Sequence, residues 1–255
     1  MSQILNHRVL GEGQPLIILH GLFGSLDNWI TLGKRFSEHF KVVLVDQRNH
    51  GKSFHDDAFD YNLMSEDLEN LIDDLDLENP ILVGHSMGGK TAMQFAAFHP
   101  EKVSKLIVAD IGPKSYPVHH ELIIEGLKSV PLDSLEKRDD AESVLSMYIP
   151  DIGTRTFLLK NLKRNTDGSF SWKMNLDTIS NNIQEVGKEL DYYLPIEMPT
   201  LFIRGGDSGY VKDKDMDDIL EIFPNAQFET INGSGHWLHA DNPDLFYDLV
   251  MKFTT

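Results

Sequence analysis

The residues best suited to chemistry lie in a short glycine-bounded run, Gly84-His85-Ser86-Met87-Gly88, extended by Gly89, which fits the pattern G-x-S-x-G. The run separates an apolar stretch at 81–84 from an amphipathic one at 87–98, so Ser86 falls on a strand-to-helix turn. A serine held there presents its hydroxyl above a sheet, and glycines on both sides let neighbouring backbone come close. The first amides of the following helix point at the same spot and favour negative charge developing there. This combination suits nucleophilic attack on an acyl carbon. The bland alternative is a glycine-rich nucleotide-binding turn, but a phosphate loop ends in Gly-Lys-Ser/Thr and a dinucleotide fingerprint falls at the first strand. Lys90 alone supplies neither.

A serine nucleophile needs a base, and with this order of elements an acid and then a histidine follow it in the chain. His236, in Gly233-Ser234-Gly235-His236-Trp237, comes after the last weak apolar run. An imidazole titrates near neutrality and can take and return a proton. His239 competes, but it lies past the glycines and reads as a packing residue. Two aspartates compete for the orienting acid. Asp207, in Arg204-Gly205-Gly206-Asp207-Ser208-Gly209, follows the penultimate run, yet a Gly-x-x-Asp count from Gly205 puts Ser208 in the acid's place. Asp110 ends the run after the nucleophile helix and is preferred, with Asp207 kept as the alternative acid. The loser reads as a loop carboxylate that accepts backbone amides.

His20-Gly21-Leu22-Phe23-Gly24 closes the first buried run, where the second donor of an oxyanion hole belongs, so the amides of Leu22 and Met87 are the expected pair. His20 and His50 flank glycine turns and are expected to orient loops. The other histidines form no H-E-x-x-H or comparable helical pair: His119 and His120 are adjacent, while His7, His55 and His99 are isolated, so no metal site and no cofactor are expected.

Distant runs must converge for these side chains to meet. Apolar runs at 16–20, 42–46, 81–84, 106–110, 201–204 and, more weakly, 228–231 read as buried parallel strands. Helical patterns at 28–39, 63–75 and 87–98 lie between them, and Asn242 with Pro243 opens a final helix. The alternation predicts an α/β fold with a mostly parallel, doubly wound sheet. The rhythm breaks between Gly112 and Pro199, where helical patterns at 121–130 and 156–163 follow one another with no buried strand between. An all-helical cap at 113–195, inserted after the strand ending at Asp110, would divide the core domain into 1–112 and 196–255. Residues 169–174 could be a short strand or an ordered loop. Candidate substrate-lining residues are Phe23, Tyr116, Phe157, Leu158, Trp172, Met174 and Trp237, most of which could equally be packing residues of the cap.

Composition narrows the partners. The chain has 255 residues, which suits one domain with an insertion, and it carries 40 acidic against 23 basic side chains. The resulting formal charge of −17 repels phosphate backbones, so nucleic acid is not an expected partner. With no cysteine, disulfides, thiolate metal sites and a thiol nucleophile are all excluded. No segment approaches the ~20 apolar residues a membrane span needs, and the first residues lack a basic start followed by an apolar run. A cytoplasmic monomer or homodimer acting on a small molecule is the default.

Taken together, His20-Gly21, Asp46-Gln47-Arg48-Asn49-His50-Gly51-Lys52-Ser53, Gly84 to Lys90 and Gly235-His236-Trp237 resemble α/β-hydrolase esterases across nearly the whole chain. Residues 20–26, 48–51 and 86–90 look most like the small bacterial esterases of the YbfF type and their abhydrolase-domain relatives, whereas the match at 114–194 is loose. The resemblance implies the α/β-hydrolase fold and cofactor-free hydrolysis of short to medium acyl esters or of acyl-CoA thioesters. It also implies a structural role for Asp46 and Arg48. Those esterases carry Asn where this chain has Asp207, which supports Asp110 as the acid and marks Asp207 as a departure. The same scaffold also serves haloperoxidases, perhydrolases, carbon–carbon bond hydrolases and non-catalytic ligand sensors. Peroxide-dependent assays, or stoichiometric labelling of Ser86 without turnover, would distinguish those from an esterase.

Overall fold

The computed structural model describes residues 3–192 and 195–255. The chain opens with β1 (His7–Leu10) and β2 (Pro15–Leu19), turns through a tight helical segment (Leu26–Trp29) into α1 (Ile30–Phe36), and continues as β3 (Lys41–Val45), α2 (Tyr61–Asp74), β4 (Ile81–His85), α3 (Met87–Phe98) and β5 (Lys105–Ala109). An insertion then supplies α4 (Glu121–Ser129), α5 (Arg138–Leu145), α6 (Ile152–Leu159), the hairpin β6 (Leu162–Arg164) and β7 (Phe170–Trp172), α7 (Leu176–Asn181) and α8 (Ile183–Gly187). The main sheet resumes with β8 (Thr200–Gly205), α9 (Met216–Ile222), β9 (Ala226–Ile231), α10 (Leu238–Asp241) and α11 (Pro243–Thr254).

Seven strands form one sheet in the order β1-β3-β2-β4-β5-β8-β9, parallel throughout except for β1. Each central strand is apolar on both sides because both faces are covered. Ile17 and Leu19 pack with Val43, Val45, Leu82 and Phe202 beneath α2 and α3. The alternate residues Leu16, Ile18, Val42, Leu44, Ile81 and Val83 pack on the opposite face with Phe36, Phe246 and Val250 of α1 and α11. The two-residue period of a strand thus sorts a continuous apolar run into two cores. Burying one such side chain stabilises the fold by about 1.5–3 kcal/mol. The antiparallel edge strand β1 has no counterpart among the predicted runs, because His7 and Arg8 are polar and Val9 is exposed, which leaves no apolar signature.

The predicted all-helical character of the insertion needs correction. Residues 162–164 and 170–172 pair antiparallel, with Gly168 at φ +92° in the connecting turn, so the helix predicted at 156–163 ends at Leu159. Among the described residues the insertion adds no strand to the main sheet. Its two crossovers run side by side: Leu190 N–H donates to Pro113 O at 3.0 Å and Tyr116 N–H to Gly187 O at 2.8 Å. Lys90 of α3, fully buried, donates its ammonium to Lys114 O at 3.0 Å and also to Lys188 O, and so ties that helix to both crossovers. Burial pulls the pKa of Lys90 down to about 8. Among the described residues no helix is long and apolar enough to cross a membrane.

Sheet order places the site. β2, β4 and β5 are neighbours, so the loops leaving their carboxyl ends emerge side by side where the strand order reverses, the usual place for a ligand crevice in such sheets.

Candidate active site

Ser86 lies between β4 and α3 with φ +52° and ψ −119°, a conformation costly for a residue with a side chain. Close packing holds it there. A Cβ on Gly84 would come within 2.3 Å of Gly88 O, and one on Gly88 within 2.4 Å of Leu19 O, so only glycine lets the turn settle onto β2. Ser86 N–H donates to Ala109 O at 3.0 Å, which locks the elbow to β5.

His236 reaches this elbow from the loop after β9. Its Nε2 lies 3.0 Å from Ser86 Oγ and its Nδ1 lies 2.7 Å from Asp110 Oδ2. A carboxylate only accepts, so Nδ1 carries the proton and Nε2 is free to accept from the serine hydroxyl. The loop is held from both sides: Gly235 N–H donates to Asp241 Oδ2 at 2.9 Å, and His85 Nε2–H donates to His236 O at 2.7 Å. Tyr210 stacks on the imidazole with centroids 3.9 Å apart and 17° between planes.

Asp110 is completely buried at φ +52°, just beyond β5. Its Oδ1 accepts Gly205 N–H at 3.0 Å, and its Oδ2 accepts the Ser208 hydroxyl as well as the imidazole. Asp207, the alternative acid, does not join this group. Its side chain is exposed and its amide donates to Ser234 O at 3.0 Å, which turns the carboxylate out to solvent. Ser208, the residue that the count from Gly205 singles out, faces inward instead and braces the carboxylate on β5.

Two buried histidines hold the loop after β2. His20 Nδ1–H donates to Gly21 O at 2.8 Å while its Nε2 accepts Gln47 N–H at 3.1 Å. His50 Nδ1–H donates to Arg48 O at 2.9 Å while its Nε2 accepts Phe23 N–H at 3.2 Å. Each therefore works as a neutral ring, and burial lowers the pKa of His20 to about 4 and that of His50 to about 3. The insertion contributes a third tether, Asn161 Nδ2–H donating to Phe23 O at 2.7 Å. Leu22 and Met87 flank Ser86, and Met87, as the first residue of α3, has an amide outside the helical ladder. Asp46 caps the neighbouring turn by accepting Leu26 N–H at 2.7 Å and Lys52 N–H at 2.9 Å, and Arg48 pairs with Asp67 at 2.5 Å, both away from the hydroxyl.

A cleft of about 530 Å³ opens over Ser86 and His236. Phe23, Phe157, Leu158 and Trp237 line it, and Phe157 packs against Trp237 with centroids 5.1 Å apart. Tyr116 lies instead at a smaller pocket, its hydroxyl accepting Gly112 N–H at 2.8 Å and donating to Tyr210 O at 2.9 Å. Trp172 and Met174 line neither space. Met174 is buried in the core of the insertion and Trp172 pairs with Leu162 across the hairpin, so their aromatic and apolar alternation serves packing. Trp29, His120 and Tyr210 line the cleft without any local pattern that marks them. Among the described residues no three His, Asp or Glu side chains are arranged to hold a metal ion.

This arrangement suits deprotonation of the serine hydroxyl and its attack on an acyl carbon. Similarity to known proteins points the same way. A model of the α/β-hydrolase fold family matches residues 14–243. A solved esterase from a marine microorganism superposes with a TM-score of 0.97 at 46% identity, covering 99% of this chain and 100% of its own. Esterase YbfF of Escherichia coli is 34% identical over 95% of this chain and 93% of its own length. The sn-1-specific diacylglycerol lipase ABHD11 of Mus musculus is 39% identical over 93% of this chain and 80% of its own length.

Proposed function

The chain belongs to the α/β-hydrolase fold family, and on that footing we propose that it is a carboxylesterase that cleaves carboxylic esters or thioesters through an acyl-enzyme on Ser86. The observation that carries this reading is the single imidazole of His236, bonded at 3.0 Å to the serine hydroxyl and at 2.7 Å to a buried carboxylate.

Ser86 Oγ attacks the acyl carbon as His236 Nε2 takes its proton, and the carbonyl π electrons move onto oxygen. The amides of Leu22 and Met87 hold that oxyanion; one such donor is worth about 2.7–4 kcal/mol in the transition state. The tetrahedral adduct collapses, the bond to the leaving oxygen or sulfur breaks, and the imidazolium returns its proton to the leaving group. Water, deprotonated by the same ring, then releases the acid and restores Ser86. Asp110 holds Nδ1–H throughout, and Gly205 N–H and the Ser208 hydroxyl keep its carboxylate aimed. The insertion acts as a cap that shapes the substrate cleft.

Ser86→Ala should lower kcat on p-nitrophenyl esters by about 10⁶-fold while the circular dichroism spectrum and Tm stay unchanged. A fluorophosphonate should add one mass equivalent at Ser86. A fully active, folded variant rules the mechanism out.

A further inference from the structure

Ser86 stands between two spaces of very different size. The larger is the cleft of about 530 Å³ that includes His236 in its wall. The smaller, about 30 Å³, is walled by Met87, Ile111, Tyr61, Val118 and Val186, and His236 is not part of it. Ser86, Leu22, His120 and Tyr210 border both.

The route of the proton assigns one space to each half of an ester. In the tetrahedral adduct the reacting carbon carries Ser86 Oγ, the oxyanion, the acyl chain and the leaving oxygen. The leaving oxygen must accept a proton from His236 Nε2, so it lies on the His236 wall, which belongs to the large cleft. The oxyanion lies at the amides of Leu22 and Met87. The acyl chain is left with the space that Met87 borders and His236 does not. Building on the serine-esterase reading, we infer that the acyl group enters the small pocket and the alcohol occupies the large cleft, so the substrates are esters of short carboxylic acids with bulky, largely apolar alcohols.

Part of the wall of the small pocket is backbone of the two crossovers. The crossovers meet there through Tyr116 N–H and Gly187 O at 2.8 Å, and a Cβ on Gly187 would fall 2.5 Å from Tyr116 O. Tyr61, buried on the core side, donates its hydroxyl to Val186 O at 2.8 Å. Space of this size holds roughly two or three heavy atoms beyond the carbonyl. The pocket therefore accepts acetyl to butyryl groups and excludes longer chains, because forcing extra methylenes against fixed walls is unfavourable.

Two ester series test the assignment. With p-nitrophenol held constant, kcat/KM should fall roughly 10–100-fold from butyrate to octanoate. With the acetyl group held constant, kcat/KM should hold or rise from ethyl to octyl acetate. Val186→Ala and Val118→Ala should each raise the octanoate-to-butyrate ratio. Rates that climb with acyl length up to octanoate, or acetates that lose rate as the alcohol lengthens, overturn the placement while the esterase reading stands. A ratio unmoved in both folded valine variants also overturns it; should a variant not fold, the wild-type series decides. If neither series is hydrolysed, the esterase reading falls and this assignment falls with it.

Discussion

Asp110 shows how one carboxylate can be committed by its neighbours. Buried and held by an amide, a hydroxyl and an imidazole, it has no freedom to turn away, whereas Asp207 faces water. Asp110→Asn would offer Nδ1 an amide in place of a carboxylate, favour the wrong tautomer and cost about 10⁴-fold in kcat, while Asp207→Asn should change kcat by less than about twofold. Steady-state kinetics of the two variants separates the acids, and the reverse ranking would refute the assignment of Asp110. At this scale the serine and the histidine were legible because glycines mark both turns. The preference for Asp110 over Asp207 rested on the count from Gly205 and on the resemblance, since either aspartate follows a strand and side-chain direction is what separates them. Ser208 had a faint signal in its distance from Gly205; Tyr210 had none.

Among the elements, the loop after β2 is fixed from two sides of the fold. His20 and His50 hold it from the core and Asn161 holds it from the insertion, although 138 residues separate Asn161 from Phe23 in the chain. The loop that carries the Leu22 amide, one of the two donors in the proposed mechanism, is therefore held in part by the insertion. Asn161→Ala would leave the buried Phe23 carbonyl without that donor and loosen the loop, lowering kcat roughly tenfold with little change in KM, since the amide contact strengthens only in the transition state. An effect on KM alone would show that Asn161 only shapes the cleft. The β-strands of the core were readable because burial on both faces gives unbroken apolar runs. The hairpin of the insertion and the edge strand β1 were obscured, because partial exposure breaks the pattern into short polar-apolar mixtures.

For the molecule as a whole, several fully buried histidines couple stability to pH. Burial lowers the pKa of His20 to about 4 and those of His50 and His239 to about 3, and it also pulls His85 well below its ordinary value. These rings are neutral in the folded chain but protonate near pH 6.5 once unfolded, so the unfolded state binds more protons as pH falls. Their contribution to stability is complete above pH 6.5. It is lost progressively down to about pH 4 for His20 and about pH 3 for His50 and His239, at up to about 1.4 kcal/mol per pH unit for each ring. Urea midpoints should accordingly fall steeply between pH 6.5 and about 4. A flat profile there would mean that the rings are solvated.

By itself the sequence determined the layered architecture and the two glycine-marked turns that carry Ser86 and His236, because periodicity and turn chemistry are local properties of the chain. Only the tertiary structure decided which carboxylate faces the imidazole, which residues border the cleft and how small the second pocket is. Those depend on side-chain direction and on contacts across a hundred residues or more, quantities that no short stretch of sequence encodes.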